Sequence, residues 1–284
     1  MTAFEYYEFR ALDRSLTKAA KAILREFSTR ALITSALFTN KYHFGSFKGD
    51  VEAWMERYFD AFLYNSNWGT RRLILRFSNR TIDPDLVKQY CQTECARYWT
   101  TNSHIIVDFE VAEEGGEYCE EEEDAWSLDD FLDARVDISL CDYRLFYLGW
   151  LLSVQYGNID KQTLEPPVPH GLRSLSPSLQ AFVDFFRLDK NLLRVAAYSS
   201  DEEVADICLD DIEPCLSGLT NHEKFNWLCR LALDDNPGLQ AEFRQAIVPD
   251  CGLEFFSTKP RRSVSDIQDR ACKPINGNHA SSAS

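Results

Sequence analysis

The chain has no hydrophobic stretch long enough to cross a lipid bilayer. Its longest apolar run, LFYLGWLLSV, covers only residues 145–154, whereas a spanning helix needs about 20 predominantly apolar residues. The opening MTAFEYYEFRALDR places carboxylates where an export signal needs cations followed by an apolar segment. We therefore predict a cytoplasmic protein that does not enter a membrane.

The common signatures of nucleotide and hydrolase sites are also missing. No G-x-G-x-x-G, G-x-S-x-G or D-x-D-x-D-G pattern occurs in the sequence. The nearest approach to a phosphate loop is NKYHFGSFKGD, but Gly45 and Gly49 have the wrong spacing for a Walker motif and Lys48 precedes the second glycine. The segment is better explained as a connection into a helix that Asp50 caps.

Positive charge is scarce in the middle of the chain. The net charge is −15 overall, and residues 113–250 carry 10 Lys or Arg against 29 Asp or Glu. Residues 1–112 and 251–284 are each at +2. The acidic part would repel a nucleic-acid backbone and suit a basic protein, so only the first part could face a nucleic acid.

Nine cysteines are scattered through the chain, and without an export signal we expect reduced thiols. The nearest approach to a metal-ligand set is Cys91, Cys95 and His104, with Cys119 further along. A closed zinc site usually pairs two short ligand motifs, and only one is visible here. The sequence therefore predicts neither a metal nor another cofactor, and these residues are candidate ligands only if a metal binds.

The first 112 residues alternate between strand and helix patterns. FEYYEFRAL predicts a strand, and TKAAKAILREF predicts a helix that Thr17 caps. RALIT and LFTNKYHF predict two more strands, the apolar residues from Val51 to Leu63 recur with helical spacing, and RRLILRF alternates as a strand. This order matches a ferredoxin-like βαββαβ arrangement, an antiparallel sheet with two helices on one face. DPDLVKQYC and HIIVDFE predict a further helix and strand.

The rest of the chain divides into a linker, a helical region and a tail. Residues 113–126 contain EEGGEYCEEEED and predict an acidic, solvated linker. Residues 127–250 predict mainly helices, with CDYRLFYLGWLLSVQYG as a buried central one. Residues 251–284 predict a flexible tail with at most one short helix near 263–270. The predicted fold class is α+β, a ferredoxin-like region at 1–112 followed by a mainly α-helical region.

Aromatic and basic residues of the predicted sheet indicate an alternative function, the binding of single-stranded nucleic acid. Tyr6, Arg72 and Arg76 are the candidate contacts, because bases stack on aromatic rings and a basic groove follows the phosphates. HFGSFKG resembles the RNA-recognition-motif signature only in part, since the leading basic residue and glycine are missing. The acidic half of the chain argues against this alternative.

Four segments resemble a family of uncharacterised bacterial proteins. They are FEYYEFRALDRSLT, STRALITSALFTNKYHFGSFKGD, ERYFDAFLYNSNWGTRRLILRF and LGWLLSVQYGNIDKQTLEPPVP. Proteins of this family are often encoded beside proteins with SWIM-type zinc fingers, so the resemblance implies a SWIM zinc-finger protein as a partner. It implies no reaction and no catalytic residues.

The sequence thus favours a non-enzymatic accessory protein that binds another protein through its acidic helical region. The charge division and the missing catalytic motifs are the grounds for this expectation. Nucleic-acid binding on the N-terminal sheet is the alternative. A third alternative is an enzyme whose site is formed by residues that meet only in space, and a pocket with converging His, Cys or carboxylate groups would indicate it.

Overall fold

The structure is a computed structural model and describes residues 4–43, 47–112, 126–201, 209–233, 239–247 and 255–273. Strands and helices alternate in the first part of the chain. In order these are β1 (Glu5–Arg10), α1 (Lys18–Phe27), β2 (Leu32–Ile33), β3 (Leu37–Tyr42), α2 (Val51–Arg57), β4 (Ala61–Ser66), β5 (Thr70–Ser78), α3 (Pro84–Tyr90), β6 (Ala96–Thr100) and β7 (His104–Ala112).

The described residues after β7 are mainly helical. A short 3₁₀ helix at Leu128–Asp130 is followed by α4 (Leu132–Ser139), α5 (Arg144–Gln155), α6 (Pro177–Phe185), α7 (Lys190–Ser199), α8 (Leu209–Gly218), α9 (Asn221–Leu233), α10 (Leu239–Ile247) and α11 (Val264–Ala271). The predicted α+β class, with a helical C-terminal region, is therefore confirmed. No helix in these described ranges is long and apolar enough to cross a membrane.

The seven strands of the described residues form one antiparallel sheet with the order β2-β3-β1-β4-β5-β7-β6. The pairing between β5 and β7 is the longest, with nine residue pairs from Thr70 with Ala112 to Ser78 with His104. β1 lies between β3 and β4 and pairs with both along its full length. The central strands are thus paired on both sides by neighbours that are distant in the sequence.

Several helix starts were predicted correctly because each depends on a local capping residue. The Thr17 hydroxyl accepts a hydrogen bond from the amide of Ala20, and the Asp50 carboxylate accepts one from Ala53. Asp83 and Ser176 cap α3 and α6 in the same way. The Asp50 contact supports the interpretation of that segment as a helix entry; residues 44–46 lie outside the described residues.

The predicted helix from Val51 to Leu63 was wrong in its second half. α2 ends at Arg57, and residues 61–66 form β4 between β1 and β5. The helical spacing arose because Phe59 and Phe62 bury against the same apolar cluster as Trp54 although the backbone has changed to a strand. Because α2 and the start of β4 bury apolar residues in the same cluster, their combined spacing matched that of one continuous helix.

Both faces of the sheet are buried, whereas the sequence predicted helices on one face. Ile74 points into a cluster with α1 and α2, and its neighbours Leu73 and Leu75 point into a larger cluster on the other side. The larger cluster contains residues from α3, α4, α5, α6 and α7. The helical region therefore packs directly on the second face of the sheet, while the acidic residues 113–125 lie outside the described residues.

Part of the predicted tail is integrated into this core. α11 falls where a short helix was predicted, and its Val264 and Ile267 are buried in the larger cluster. Backbone bridges join Leu164 to Ser263 and Pro169 to Phe256. Residues 255–273 therefore pack as part of the helical region.

A glycine in the otherwise bulky α5 allows this helix to approach the sheet closely. A Cβ at Gly149 would lie 2.2 Å from Cε1 of Phe109, a buried β7 ring. We expect Gly149→Ala to lower the free energy of unfolding by about 1–3 kcal/mol, because the ring must move in a packed core. Urea unfolding measures the loss. Gly218→Ala is the matched control, because a Cβ there meets nothing within 4 Å; equal stability losses would contradict the packing argument.

Candidate functional sites

The sheet residues predicted to contact nucleic acid form hydrogen bonds and ion pairs with other residues of the protein. Tyr6 packs against the larger apolar cluster, and its hydroxyl donates a hydrogen bond to Glu8 at 2.8 Å. Burial raises the pKa of Tyr6 far above its ordinary value. Since helices cover both faces of the central strands, Tyr6 does not belong to an open aromatic platform.

Arg72 lies within a cluster that holds more carboxylates than cations. Its guanidinium donates two hydrogen bonds to the buried Asp108, at 2.9 and 2.7 Å, and it also lies 3.4 Å from Glu110. Arg97 donates to the same Asp108, and both arginines approach Glu52. Three carboxylates against two guanidinium groups leave net negative charge, which does not attract a phosphate backbone.

Arg76 is enclosed in the core and does not reach the surface. It is 1% exposed and forms an ion pair with Asp60, which is fully buried. Its Nη1 also donates to the carbonyl oxygens of Met55 and Glu56 at 3.0 and 3.2 Å. The prediction that Arg76 contacts nucleic acid is therefore incompatible with its position, because every side of the guanidinium is committed to the fold.

The candidate metal ligands do not come together either. Cys91 is buried in the larger apolar cluster, and the Cys95 thiol donates to Asn158. His104 is the first residue of β7. The carbonyl oxygen of Cys95 accepts a hydrogen bond from the amide of Glu110, six residues further along that strand. At the rise of a β-strand this places Cys95 about 20 Å from His104. Within the described ranges no three or more His, Cys, Asp or Glu side chains are arranged so that they could hold a metal ion, and Cys119 lies outside them.

The protonation of these groups also disfavours metal binding. Burial raises the pKa of the Cys95 thiol to about 11 and raises that of Cys91 further. Metal ligation requires the thiolate, so both cysteines resemble small core residues more than ligands. Cys91, Cys95, Cys229 and Cys272 are free thiols, but Cys215 is disulfide-bonded, and the expectation of reduced thiols fails at that position.

The helices α8, α9 and α10 form a small unit beside the main core. Cys141, Cys215 and Ile247 are the buried centre of a separate apolar cluster to which Phe243 contributes. α9 is held there by Trp227, whose ring lies 5.0 Å from that of Phe243, and by an ion pair of Arg230 with Glu242. α9 begins where predicted, because Thr220 and Glu223 exchange capping hydrogen bonds.

Several large apolar side chains of α9 are open to solvent. None of its residues is buried, and four large side chains are between 49% and 84% exposed, namely Phe225, Leu228, Leu231 and Leu233. No other helix of the described chain has more than two large exposed apolar residues. We call these four residues the α9 face. Sequence analysis found the helix but missed this exposure, because its apolar spacing also suits a buried helix.

Two cavities that share the lining residue Arg194 form a groove, which we call the basic groove because several of its lining residues are cations. The larger, of about 410 Å³, lies between α6 and α7, and the smaller, of about 240 Å³, lies between α7 and α11. Their cationic lining residues are Arg173, Lys190, Arg194 and Arg270, and Arg194 lines both. No His, Cys or carboxylate is among the described residues that line them, so they do not hold the catalytic set that the enzyme alternative requires.

Comparison with known proteins gives no relative that could indicate the function of these surfaces. No family model, no curated protein and no solved structure matches the chain.

Proposed function

We propose that the chain is a non-enzymatic accessory protein and that it binds a basic partner protein through the α9 face. The observation that carries this proposal is the concentration of four large exposed apolar side chains on a helix with no buried residue. A concentration of exposed large apolar side chains on one element of a folded protein commonly marks an interaction site.

The energetic argument rests on the cost of leaving these side chains in water. Burying one leucine or phenylalanine side chain is worth about 1.5–3 kcal/mol, so a partner that covers Phe225 and Leu228 gains a substantial part of a binding free energy. An amphipathic helix that enters an apolar groove is a common mode of peptide and protein recognition. The exposed arc of α9 offers such a helix, already folded and attached through Trp227.

Charge specifies the kind of partner. The α9 face lies within residues 113–250, which carry a net charge of −19. A partner with an apolar groove and a net positive charge complements both features, and its association should weaken as salt screens the long-range attraction. A SWIM zinc-finger protein remains the partner that the family resemblance implies. This proposal is favoured over nucleic-acid binding on the sheet because the sheet's arginines are paired or buried.

We further propose that α1, α2 and the first four strands form a ferredoxin-like unit. The strand order β2-β3-β1-β4 supports it, as do the antiparallel neighbours and the position of each helix between two strands of the unit. In this version β4 replaces the predicted segment 71–77 as the fourth strand. The remaining strands β5, β7 and β6 then extend the sheet beyond it.

The test of the binding proposal compares two doubly substituted chains. We expect Phe225→Ser with Leu228→Ser to weaken association with a partner by about 30-fold or more, the effect of removing central apolar anchors. Partners are captured from the native cell at low salt with the tagged full chain, and the affinity of each purified candidate is then measured with both variants. Stability should be retained, since both side chains are exposed.

The matched control is Val136→Ser with Leu164→Ser, which removes two exposed apolar side chains away from α9. A partner that binds the wild-type and control chains but not the α9 variant supports the proposal. A partner that binds all three equally overturns it. Sedimentation of the purified chain alone tests a second copy as the occupant, because a concentration-dependent dimer that the α9 variant abolishes would replace the hetero-partner.

A further inference from the structure

We propose that the disulfide of Cys215 is a redox switch that holds α8, α9 and α10 together and thereby controls the α9 face. We call these three helices the α8–α10 unit. Cys215 lies on α8, is 8% exposed and is disulfide-bonded. The effect of the switch on binding rests on the proposed function of the α9 face, whereas its effect on the packing of the unit does not.

The apolar core of the α8–α10 unit is small. Its buried centre consists of Cys141, Cys215 and Ile247, whereas the larger cluster under the sheet draws buried residues from five helices. A unit that buries little apolar surface commonly depends on a cross-link such as a disulfide. The bonded sulfur of Cys215 lies in this centre, so the bond is placed where it can decide whether the unit stays closed.

The helices of the unit are weak by themselves. Pro214 lies inside α8, immediately before Cys215, and a proline in a helix interior removes a backbone hydrogen bond. α9 has 13 residues and buries none of them, and an isolated helix of about that length is only marginally folded in water. Both helices pack on α10. They therefore keep their helical form through contacts that the disulfide helps to hold.

The contacts that position α9 lead back to Cys215 through α10. The Trp227 ring lies 5.0 Å from the Phe243 ring, and Arg230 forms an ion pair with Glu242. Phe243 in turn packs against the cluster that contains Cys215. If this cluster opens, Trp227 loses its support, and the α9 face is no longer presented on a folded helix.

The chemistry of the switch is thiol–disulfide exchange. A cellular dithiol breaks the sulfur–sulfur bond, leaves one thiol on Cys215 and one on its bonded partner, and is itself oxidised to a disulfide. A second disulfide compound reverses the step, because it reforms the bond and is reduced to two thiols. In a chain predicted to be cytoplasmic, a disulfide is more typical of redox sensing than of permanent structure. The oxidised chain is then the form that binds.

Hydrogen exchange of the full chain, with and without dithiothreitol, tests the switch. We expect reduction to speed the exchange of α8 and α9 amides by about 30-fold or more, the lower end of the change in a folding equilibrium that one disulfide produces. Amides of α5, in the main core, should exchange as before. Replacing dithiothreitol with oxidised glutathione should restore slow exchange, and failure to restore it contradicts a reversible switch.

Two variants complete this test. Cys215→Ala without reductant should reproduce the reduced wild-type chain, because it cannot form the bond. Cys272→Ala removes an exposed free thiol that follows α11, and as the matched control it should respond to dithiothreitol like the wild type. Equal exchange of α8 and α9 in the oxidised and reduced chains overturns the proposal. An equal loss of protection in α5 also overturns it, because the bond then stabilises the whole chain.

Binding measurements separate this proposal from the proposed function. The affinity of a partner that requires the α9 face should fall by about 10-fold or more on reduction, as the folded form of α9 becomes a minor state. Such a partner overturns the switch if it binds the oxidised and reduced chains equally. Absence of any partner for the oxidised chain overturns the proposed function instead, and hydrogen exchange alone then decides whether Cys215 controls the packing of the unit.

Discussion

Replacing Arg76 with methionine should lower the free energy of unfolding by about 3–5 kcal/mol, the cost of leaving a buried charge without its partner. Asp60 is fully buried, and Arg76 supplies its only cation among the described residues. Methionine fills much of the space of the aliphatic stem, so the loss reports the charge more than a cavity. Equilibrium unfolding in urea, with the slope compared between variants, measures it.

The size of this effect follows from how many elements the pair joins. The other oxygen of Asp60 accepts the amides of Leu12 and Asp13 at 2.7 and 3.0 Å, which fixes the chain after β1. Arg76 satisfies two carbonyl groups at the end of α2, which have no partner within the helix. Losing the guanidinium therefore leaves one carboxylate oxygen and two helix-end carbonyls without their donors at once.

Two further variants separate the pair from general damage to the sheet. Asp129→Asn breaks the exposed ion pair of Asp129 with Arg10 and should change stability by less than about 1 kcal/mol. Combining Arg76→Met with Asp60→Leu should recover part of the loss, since no isolated charge remains. If Arg76→Met alone cost less than about 1 kcal/mol, the described burial of this pair would be contradicted. Arg76 substitutions would also confuse any nucleic-acid-binding assay, because lost stability would mimic lost binding.

The contrast between Thr17 and Arg76 shows what the sequence could and could not predict. Thr17 caps a helix through an amide three residues away, so a short window contains both partners. Arg76 is neutralised by Asp60, and Arg72 by Asp108 thirty-six residues later. Within RRLILRF these arginines look like the solvated edge of a strand. Their burial depends on partners that only the folded sheet brings close, so the sequence could not show that these arginines are paired with carboxylates.

The basic groove was hidden for a related reason. Its cations come from a loop, from α7 and from α11, the last of which belongs to the predicted tail. Averaging charge over residues 113–250 gave strong negative charge and predicted repulsion of phosphates. Long-range averages describe steering, whereas a binding site depends on the few charges within a Debye length of the ligand. Cationic side chains can therefore line one cavity within a region of net negative charge.

Replacing Arg262 with methionine should also cost about 3–5 kcal/mol, although the sequence placed this residue in a loose tail. Arg262 binds both oxygens of Glu165 at 2.8 Å and donates to the carbonyl of Val195 at 2.6 Å. Glu165 also accepts the Tyr147 hydroxyl at 2.9 Å and is fully buried. Burial and the Glu165 charge raise the pKa of Tyr147 well above its ordinary value, so its hydroxyl remains a donor.

The contacts of Glu165 predict losses of unfolding free energy that differ in size from one substitution to the next. Tyr147→Phe should cost about 1–2 kcal/mol, because Glu165 then loses one hydrogen bond and keeps its cation. Lys259→Met is the matched control on the same segment: its ion pair with Asp201 is nearly half exposed on both sides and should contribute less than about 1 kcal/mol.

Hydrogen exchange adds a local measurement, since Arg262→Met should lower the protection of backbone amides in α11, which packs against α7. Two results together would show that residues 255–273 are a loose tail, as the sequence predicted. The first is an equally small loss of stability in Arg262→Met and Lys259→Met, and the second is hydrogen exchange of α11 that is as fast in the wild-type chain as in Arg262→Met. A large loss confined to Arg262→Met instead establishes that a buried charge pair fastens this segment to the helical core, and with it Arg270 to the basic groove.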